Sequence, residues 1–354
     1  MGDRAGSSPA GRTMNTRVVQ ARYNSCFFEY IVAVTGQDTY NYTMTKSCRN
    51  KTIDIDIEEG KRFLDRCIDW ETHGLLREIP VDRTICGDTL RVMSTLPAGF
   101  ADLVIADPPY NLGKDYNGRY FGKMDSDSYE AYTRTWLGAV KPLLKETGSV
   151  YVCCDWESSL VIGKVMHELF EVRNRITWQR EKGRGARANW KNSMEDIWFA
   201  TVSDEYTFNL DDVKVRRKVI APYREDGRPK DWIETSGGNF RDTCPSNFWD
   251  DLTVPFWSMS ENTAHPAQKP EKLIAKLILA SSAAGDMVFD PFLGSGTTSV
   301  TAKKLGRRYL GVEIDENYCV WAEKRLEMAD MDRSVQGYED GVFWERNMKY
   351  VSKI

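Results

Sequence analysis

Two short stretches of this chain carry residue types that could do chemistry together. The first is Asp107-Pro108-Pro109-Tyr110, which follows the apolar run ADLVIA (101–106). Two prolines restrict the backbone and leave carbonyls without internal partners. The turn therefore presents rigid acceptors, the Asp107 carboxylate and the Pro108 carbonyl, beside the flat ring of Tyr110. Such a set can grip an exocyclic amino group by two hydrogen bonds and stack its base. A plain strand-end turn with a core tyrosine uses the same residues. The second stretch is Asp290-Pro291-Phe292-Leu293-Gly294-Ser295-Gly296-Thr297-Thr298. Glycines there let backbone approach a ligand where a Cβ would clash, and a following helix start offers free N–H groups. Glu313 lies 17 residues beyond Gly296, well placed for ribose hydroxyls as in dinucleotide folds. A dinucleotide and S-adenosylmethionine both fit this geometry, as does a ligand-free strand–helix turn. The loop lacks GxGxxG and GxxxxGK[ST], and Asp290 would repel a pyrophosphate but pair with the ammonium of a methionine moiety. S-adenosylmethionine is favoured.

The elements that must position these groups alternate along the chain. TIC (84–86), ADLVIA (101–106), SVYVCC (149–154), RITW (175–178), DIWFATV (196–202), MVFD (287–290) and YLGVEI (309–314) read as strands. Helices are predicted over 56–73, 126–145, the stretch leading to Phe170, 270–283, 297–305 and 316–328. Short strands alternating with helices predict an α/β fold with crossover helices on a mostly parallel sheet. Residues 1–22 read as a loose arm and 23–80 as an N-terminal extension. A catalytic half covers 81–202 and a cofactor half 265–330. Between them, residues 203–264 hold four prolines and a Gly-Gly pair and read as a small insert or irregular structure. The tail, 331–354, is polar with aromatics and is expected to pack as an irregular end piece.

Composition limits the function classes. The 354 residues are 41% hydrophobic and 28% charged, which excludes a disordered, collagen-like or low-complexity chain. A net charge of -4 excludes a histone-like protein but not a local basic face. Eight cysteines without a CxxC pair and three histidines form no metal pattern, so no metal is expected and the thiols read as free in a reducing compartment. No stretch has the length of a membrane span and no signal peptide is evident, so a cytoplasmic protein is expected. Residues 175–192 contain six basic residues and one acid. There Arg180, Lys182, Arg184, Arg187 and Lys191 surround glycines and Trp190, a composition that suits phosphate contact as well as a solvated loop. Arg216, Arg217 and Lys218 belong to a second basic cluster, inside the 203–264 insert, which is the best candidate for reading base edges.

With these motifs in place the chain resembles the amino-group DNA methyltransferases that modify adenine N6 or cytosine N4. DPPY matches their catalytic motif, DPFLGSGTT their cofactor motif, and HPAQKP (265–270) the segment before it. ICGD, ITWQREKG and NSMEDIWFAT are also similar, and the likeness covers about 70% of the chain, from 81 to 328. The order of catalytic motif, variable region and cofactor motif is the circularly permuted, beta-type arrangement. The resemblance implies a Rossmann-like S-adenosylmethionine-dependent methyltransferase fold with a target-recognition insert. It implies that Asp107, Pro108, Pro109 and Tyr110 hold a flipped base. Phe292 would lie against the cofactor adenine or ribose, with Gly294 and Gly296 near its methionine part. Asp290 would meet the amino end, Glu313 the ribose hydroxyls and Asp88 the adenine amino group. Lys269, or the Thr297 and Thr298 hydroxyls, would hold the carboxylate. Asn111 would shape the pocket or cap a turn, and His265 would be structural. Asp in place of Ser before the two prolines is the family's tendency for adenine, with N4-cytosine methylation as the alternative. A silent DNA-binding subunit should have lost Asp107, Pro108 or the glycines, and an oxidoreductase should carry GxGxxG. Double-stranded DNA is the implied partner, alongside a homodimer and a cognate restriction endonuclease.

Overall fold

The structure is a computed structural model; it describes residues 16–23, 26–33, 49–74, 76, 78–180, 188–219, 223–235 and 237–346. Residues 1–50 form one unit and 51–354 another. In the first unit, Thr16–Tyr23 and Cys26–Ala33 pair as an antiparallel hairpin. The loose arm expected over 1–22 is thus corrected from residue 16 onward. Val and Tyr occur in both segments, with Phe and Ile added in the second, and favour extended backbone over coil.

The second unit is built on a nine-stranded sheet. Its strands are β1 (Ile68–Asp69), β2 (Arg83–Cys86), β3 (Ala101–Ala106), β4 (Leu144–Cys154), β5 (Glu171–Gln179), β6 (Met194–Thr201), β7 (Phe248–Trp249), β8 (Met287–Asp290) and β9 (Arg308–Glu313). Their spatial order is β7-β5-β6-β4-β3-β8-β9-β2-β1. Every strand runs the same way except β6, which is antiparallel to both neighbours. Parallel neighbours require crossovers, and helices supply them. Ser126–Val140 links β3 to β4 through the short turn that Pro142 opens. Ser158–Leu169 follows β4, Thr297–Lys304 links β8 to β9, and Glu316–Met331 follows β9.

Both faces of the sheet are covered, so its central strands are mostly apolar, and Asp102 in β3 is held by Lys145 and the Met287 N–H. On β3, Val104 and Ala106 join a core with Trp136, Leu137, Val140, Ile162 and Val165. The alternate residues Leu103 and Ile105 join the other core, with Ile274, Leu277, Ile278, Val300 and Leu326. The expected α/β architecture is therefore present.

Three local expectations are corrected. The helix predicted over 56–73 is a helix at Ile57–Leu64, the edge strand β1 and a single turn at Trp70–His73. Pairing of Ile68 with Ile85 at the sheet edge outweighs helical periodicity. The 203–264 region is not irregular throughout. Val215–Lys218, Gly238–Thr243 and Ile233–Thr235 form a second sheet. The tail joins that sheet, since Val342–Trp344 pairs parallel with Val215 and Arg216. Helix Glu271–Ser281 lies between the two sheets and is buried along its whole length, its charged residues included. Its lysines survive burial by pairing: Lys276 Nζ lies 2.6 Å from Asp251 Oδ1.

Candidate active site

Strands β3 and β8 are neighbours, yet the chain leaves β3 toward β4 on one side and β8 toward β9 on the other. That reversal opens a crevice at the carboxyl edge of the sheet, the usual ligand site of such folds. Both motifs of the sequence open into it. Asp107 follows β3, Asp290 ends β8, Glu313 ends β9 and Asp88 follows β2. Because β6 is reversed, its start, with Glu195, lies at the same edge.

A cavity of about 460 Å³ occupies this edge, within the roughly 300–1,000 Å³ typical of small-molecule sites. Asp88, Asp107, Pro108, Pro109, Tyr110, Arg180, Lys269, Phe292 and Glu313 all line it. Residues as distant in the sequence as Gly87 and Tyr318 thus face one space. The glycine loop stands behind the wall rather than in it. Gly296 starts its helix at φ 86°, and a Cβ there would fall 2.6 Å from Ala322 Cβ. Gly294, at φ 54°, presents its N–H to Glu313 Oε2 at 2.7 Å. Glu313 also accepts from the N–H groups of Ile314 and Asp315, which fixes its carboxylate at the rim.

Several side chains singled out in the sequence are committed to holding the loop. Thr297 donates to the Lys269 carbonyl and accepts from the buried guanidinium of Arg325, which also reaches the Ser295 carbonyl. Thr298 is buried beside Asp290. Neither threonine lines the cavity, so the expectation that their hydroxyls face a cofactor carboxylate is replaced by a supporting role. Asn111 likewise exchanges two hydrogen bonds with Met124 and pins the segment after the turn instead of shaping the pocket. His265 packs edge-on against Tyr318 beneath Gly294, and burial pushes its pKa down to about 3, which keeps the ring neutral.

The Asp107 carboxylate is held at both oxygens. Tyr110 OH donates to Oδ1 at 2.8 Å, and Lys269 Nζ donates to Oδ2 at 2.6 Å. Lys269 also lies 3.5 Å from Glu195, which pairs in turn with Arg180. Burial opposes the charge of Lys269, but the Asp107 and Glu195 carboxylates outweigh it and hold its pKa above the usual range. Lys269 was expected to meet a ligand carboxylate; its amine is placed on the Asp107 carboxylate instead. Glu195 is the residue that sequence reasoning passed over. Its segment NSMEDIWFAT stood out, but nothing local shows that a reversed strand delivers this carboxylate to Tyr110 and Lys269.

The basic residues divide into groups. Lys182, Arg184 and Arg187 lie outside the described residues. Lys191 is exposed, and Arg180 is half-buried at the cavity edge. Arg216 is buried, with its guanidinium doubly bonded to Asp242 at 2.7 Å, so it ties two strands together and is not available to DNA. Arg217 is shared between Asp250 and Glu345, while the Lys218 side chain is exposed.

The residues present suit S-adenosylmethionine. Burial pushes Asp290 up to about 7, against hydrogen bonds from Thr298 and the Phe292 N–H, and burial likewise raises Glu313 to about 7. Glu313 lines the cavity and gains from a ligand that brings hydroxyl donors, whereas Asp290 is buried behind the lining, so its expected meeting with an ammonium is replaced by a place in the support of the loop. Phe292, braced edge-on by Trp136 at 5.3 Å, offers a flat apolar wall for an adenine or ribose. Asp88 lines the same space, although one oxygen already caps a helix through the Arg91 N–H.

A pH dependence follows. Hydroxyl donors would pair with the ionised form of Glu313, which lines the cavity, and that fraction falls as pH drops through about 7. Cofactor affinity is therefore expected to weaken about 8-fold from pH 7.5 to about pH 6. Calorimetric titration across this range checks it, and Glu313→Gln should bind weakly with a shallower slope. A flat profile in the unmodified protein would dissociate Glu313 from the ribose hydroxyls.

Known proteins align with this site. Residues 101–324 match the model of a DNA methylase family that covers N6 and N4 enzymes. The chain is 34% identical over 248 residues to the type II methyltransferase M.HpaI of Haemophilus parainfluenzae, covering 69% of this chain and 74% of that protein. It is 33% identical over 252 residues to the DNA adenine methyltransferase YhdJ of Escherichia coli (strain K12), covering 69% and 82%. The PvuII cytosine-N4-specific DNA methyltransferase shares the fold, with a TM-score of 0.52 at 18% identity over 69% of this chain and 85% of that one. With both motifs opening on one cavity at the sheet edge, the chain belongs to the N6/N4 family of DNA methylases and is an S-adenosylmethionine-dependent DNA methyltransferase.

Proposed function

We propose that this enzyme methylates the N6 amino group of adenine flipped out of duplex DNA. The observation that carries the reading is the shared cavity, where the Asp107–Tyr110 turn faces Phe292 and Glu313. The bound cofactor supplies an electrophilic sulfonium methyl. The protein must make a poor nucleophile attack it, because the lone pair of an aromatic amine is delocalised into the ring. Asp107 and the Pro108 carbonyl accept from the two N–H groups and steer the nitrogen toward tetrahedral geometry. They also stabilise positive charge as it develops there. Proton loss follows bond formation, so Asp107 need not act as a base beforehand. Tyr110 supplies the stacking surface, and Pro109 keeps the turn rigid. Holding both partners in line contributes much of the remainder.

The amine is not reachable inside a helix, so the base must leave the stack. Lys191, Arg180 and Lys218 would contact phosphates, with Lys182, Arg184 and Arg187 joining them. No described residue of 203–264 lines the cavity, which suits a separate role in reading sequence. The likeness to a type II methyltransferase supports a restriction–modification setting. Radiolabelled S-adenosylmethionine incubated with unmethylated duplex DNA, followed by nucleoside analysis, tests the reading. Label is expected in N6-methyl-2′-deoxyadenosine. Label in N4-methylcytosine would overturn the base assignment, and no transfer to any DNA would overturn the function.

A further inference from the structure

Trp190 is 94% exposed, more than any other large apolar side chain among the described residues. Six other tryptophans, at 70, 136, 178, 232, 249 and 344, are buried. An indole left in water forfeits a large apolar burial, so a bare Trp beside a cleft calls for a partner. Its position is defined by the stem from which it projects. Arg180 N–H donates to the Ser193 carbonyl at 2.6 Å, and Gln179 pairs with Met194, closing the stem at the mouth of the active-site cavity. Arg180, Asn192, Met194 and Glu195 line that cavity. Trp190 is two residues from Asn192, which places it within about 7 Å of chain from the rim. Its exposed neighbours are Asn189, Lys191 and Asn192, with no acid from 188 to 194.

Removing adenine from a duplex leaves a gap one base thick and an unpaired partner base with open faces. Proteins that disturb the stack fill such gaps with flat or apolar side chains. Stacking on an aromatic ring is indifferent to base identity, as a wedge at a fixed site can be. We propose that Trp190 is the wedge that occupies the place vacated by the flipped adenine, a role that rests on the function proposed above. Lys191 holds a phosphate beside it, and the stem sets its distance from Tyr110.

The test first maps the methylated site with the unmodified enzyme, then uses oligonucleotide duplexes that carry it. In one duplex the target adenine faces thymine; in the other it faces an abasic position, so that no base pair has to be broken and no partner base is left to stack on. Trp190→Ala should lose about tenfold to a hundredfold in kcat/KM on the paired duplex, and less than about threefold on the abasic one. Trp190→Phe should recover most of the loss. With 2-aminopurine at the target position, the unmodified enzyme should raise its fluorescence and Trp190→Ala should not. Equal loss on both duplexes, or no loss, would overturn the wedge while leaving the methyltransferase reading intact. Failure of the unmodified enzyme to methylate any DNA would instead overturn that reading.

Discussion

Asp107→Ala is expected to reduce methyl transfer to DNA by about 10³-fold or more, because a preorganised charge partner for the transition state is lost. The loss should fall on the chemical step, measured by single-turnover transfer with saturating DNA and cofactor, rather than on KM. Cofactor affinity should change only a few-fold, since Phe292 and Glu313 make the opposite wall. The substitution also removes the 2.6 Å partner of Lys269, leaving that buried amine 3.5 Å from Glu195. Asp107→Asn therefore serves as a second variant. It preserves the size of the side chain and an acceptor oxygen but not the charge, and should be slowed by about 10²–10³-fold. Transfer within about tenfold of normal by both variants would remove Asp107 from the mechanism.

Gly296→Ala is expected to be the most damaging single methyl group that can be added near the site. The residue sits at φ 86°, and the new Cβ would lie 2.6 Å from Ala322 Cβ and 2.7 Å from Ala322 Cα. Left-handed backbone costs an L-residue about 1–2 kcal/mol. Forcing an atom into a packed core costs about 1–3 kcal/mol more. A loss of about 2–5 kcal/mol in unfolding free energy should therefore appear as a lower denaturant midpoint with an unchanged slope. Cofactor affinity should fall as well, because Gly294 and the Glu313 carboxylate are fixed by the same loop. Adding Ala322→Gly removes the contact with Cβ but leaves the 2.7 Å contact with Cα and the backbone strain, so it should restore only part of the stability. A loss below about 1 kcal/mol would show that the helix carrying Ala322 yields readily.

Both positions are legible in the amino-acid sequence because their signals are local. A proline pair after an apolar strand, and glycines between a strand and a helix, constrain the backbone within a few residues. Asp107, Tyr110, Asp290, Phe292 and Glu313 are identifiable on that basis, as are the strands 101–106 and 287–290. The alternation of strands and helices is equally local, since each crossover helix carries its own apolar stripe.

What the tertiary structure alone decided depends on partners far apart in the chain. Lys269 meets Asp107 across 162 residues, and Glu195 meets Tyr110 across 85. The reversal of strand 194–201 has no signature in its composition, yet it puts Glu195 at the edge of the cavity. Arg216 has the chemistry of a phosphate contact, but Asp242 lies opposite it across a strand pair and takes its guanidinium. Residues 342–344 are a strand because 215–218 offer them an edge to pair with. Local sequence sets which backbone shapes are cheap, but hydrogen bonds between strands and pairing of buried charges are settled only when distant segments meet.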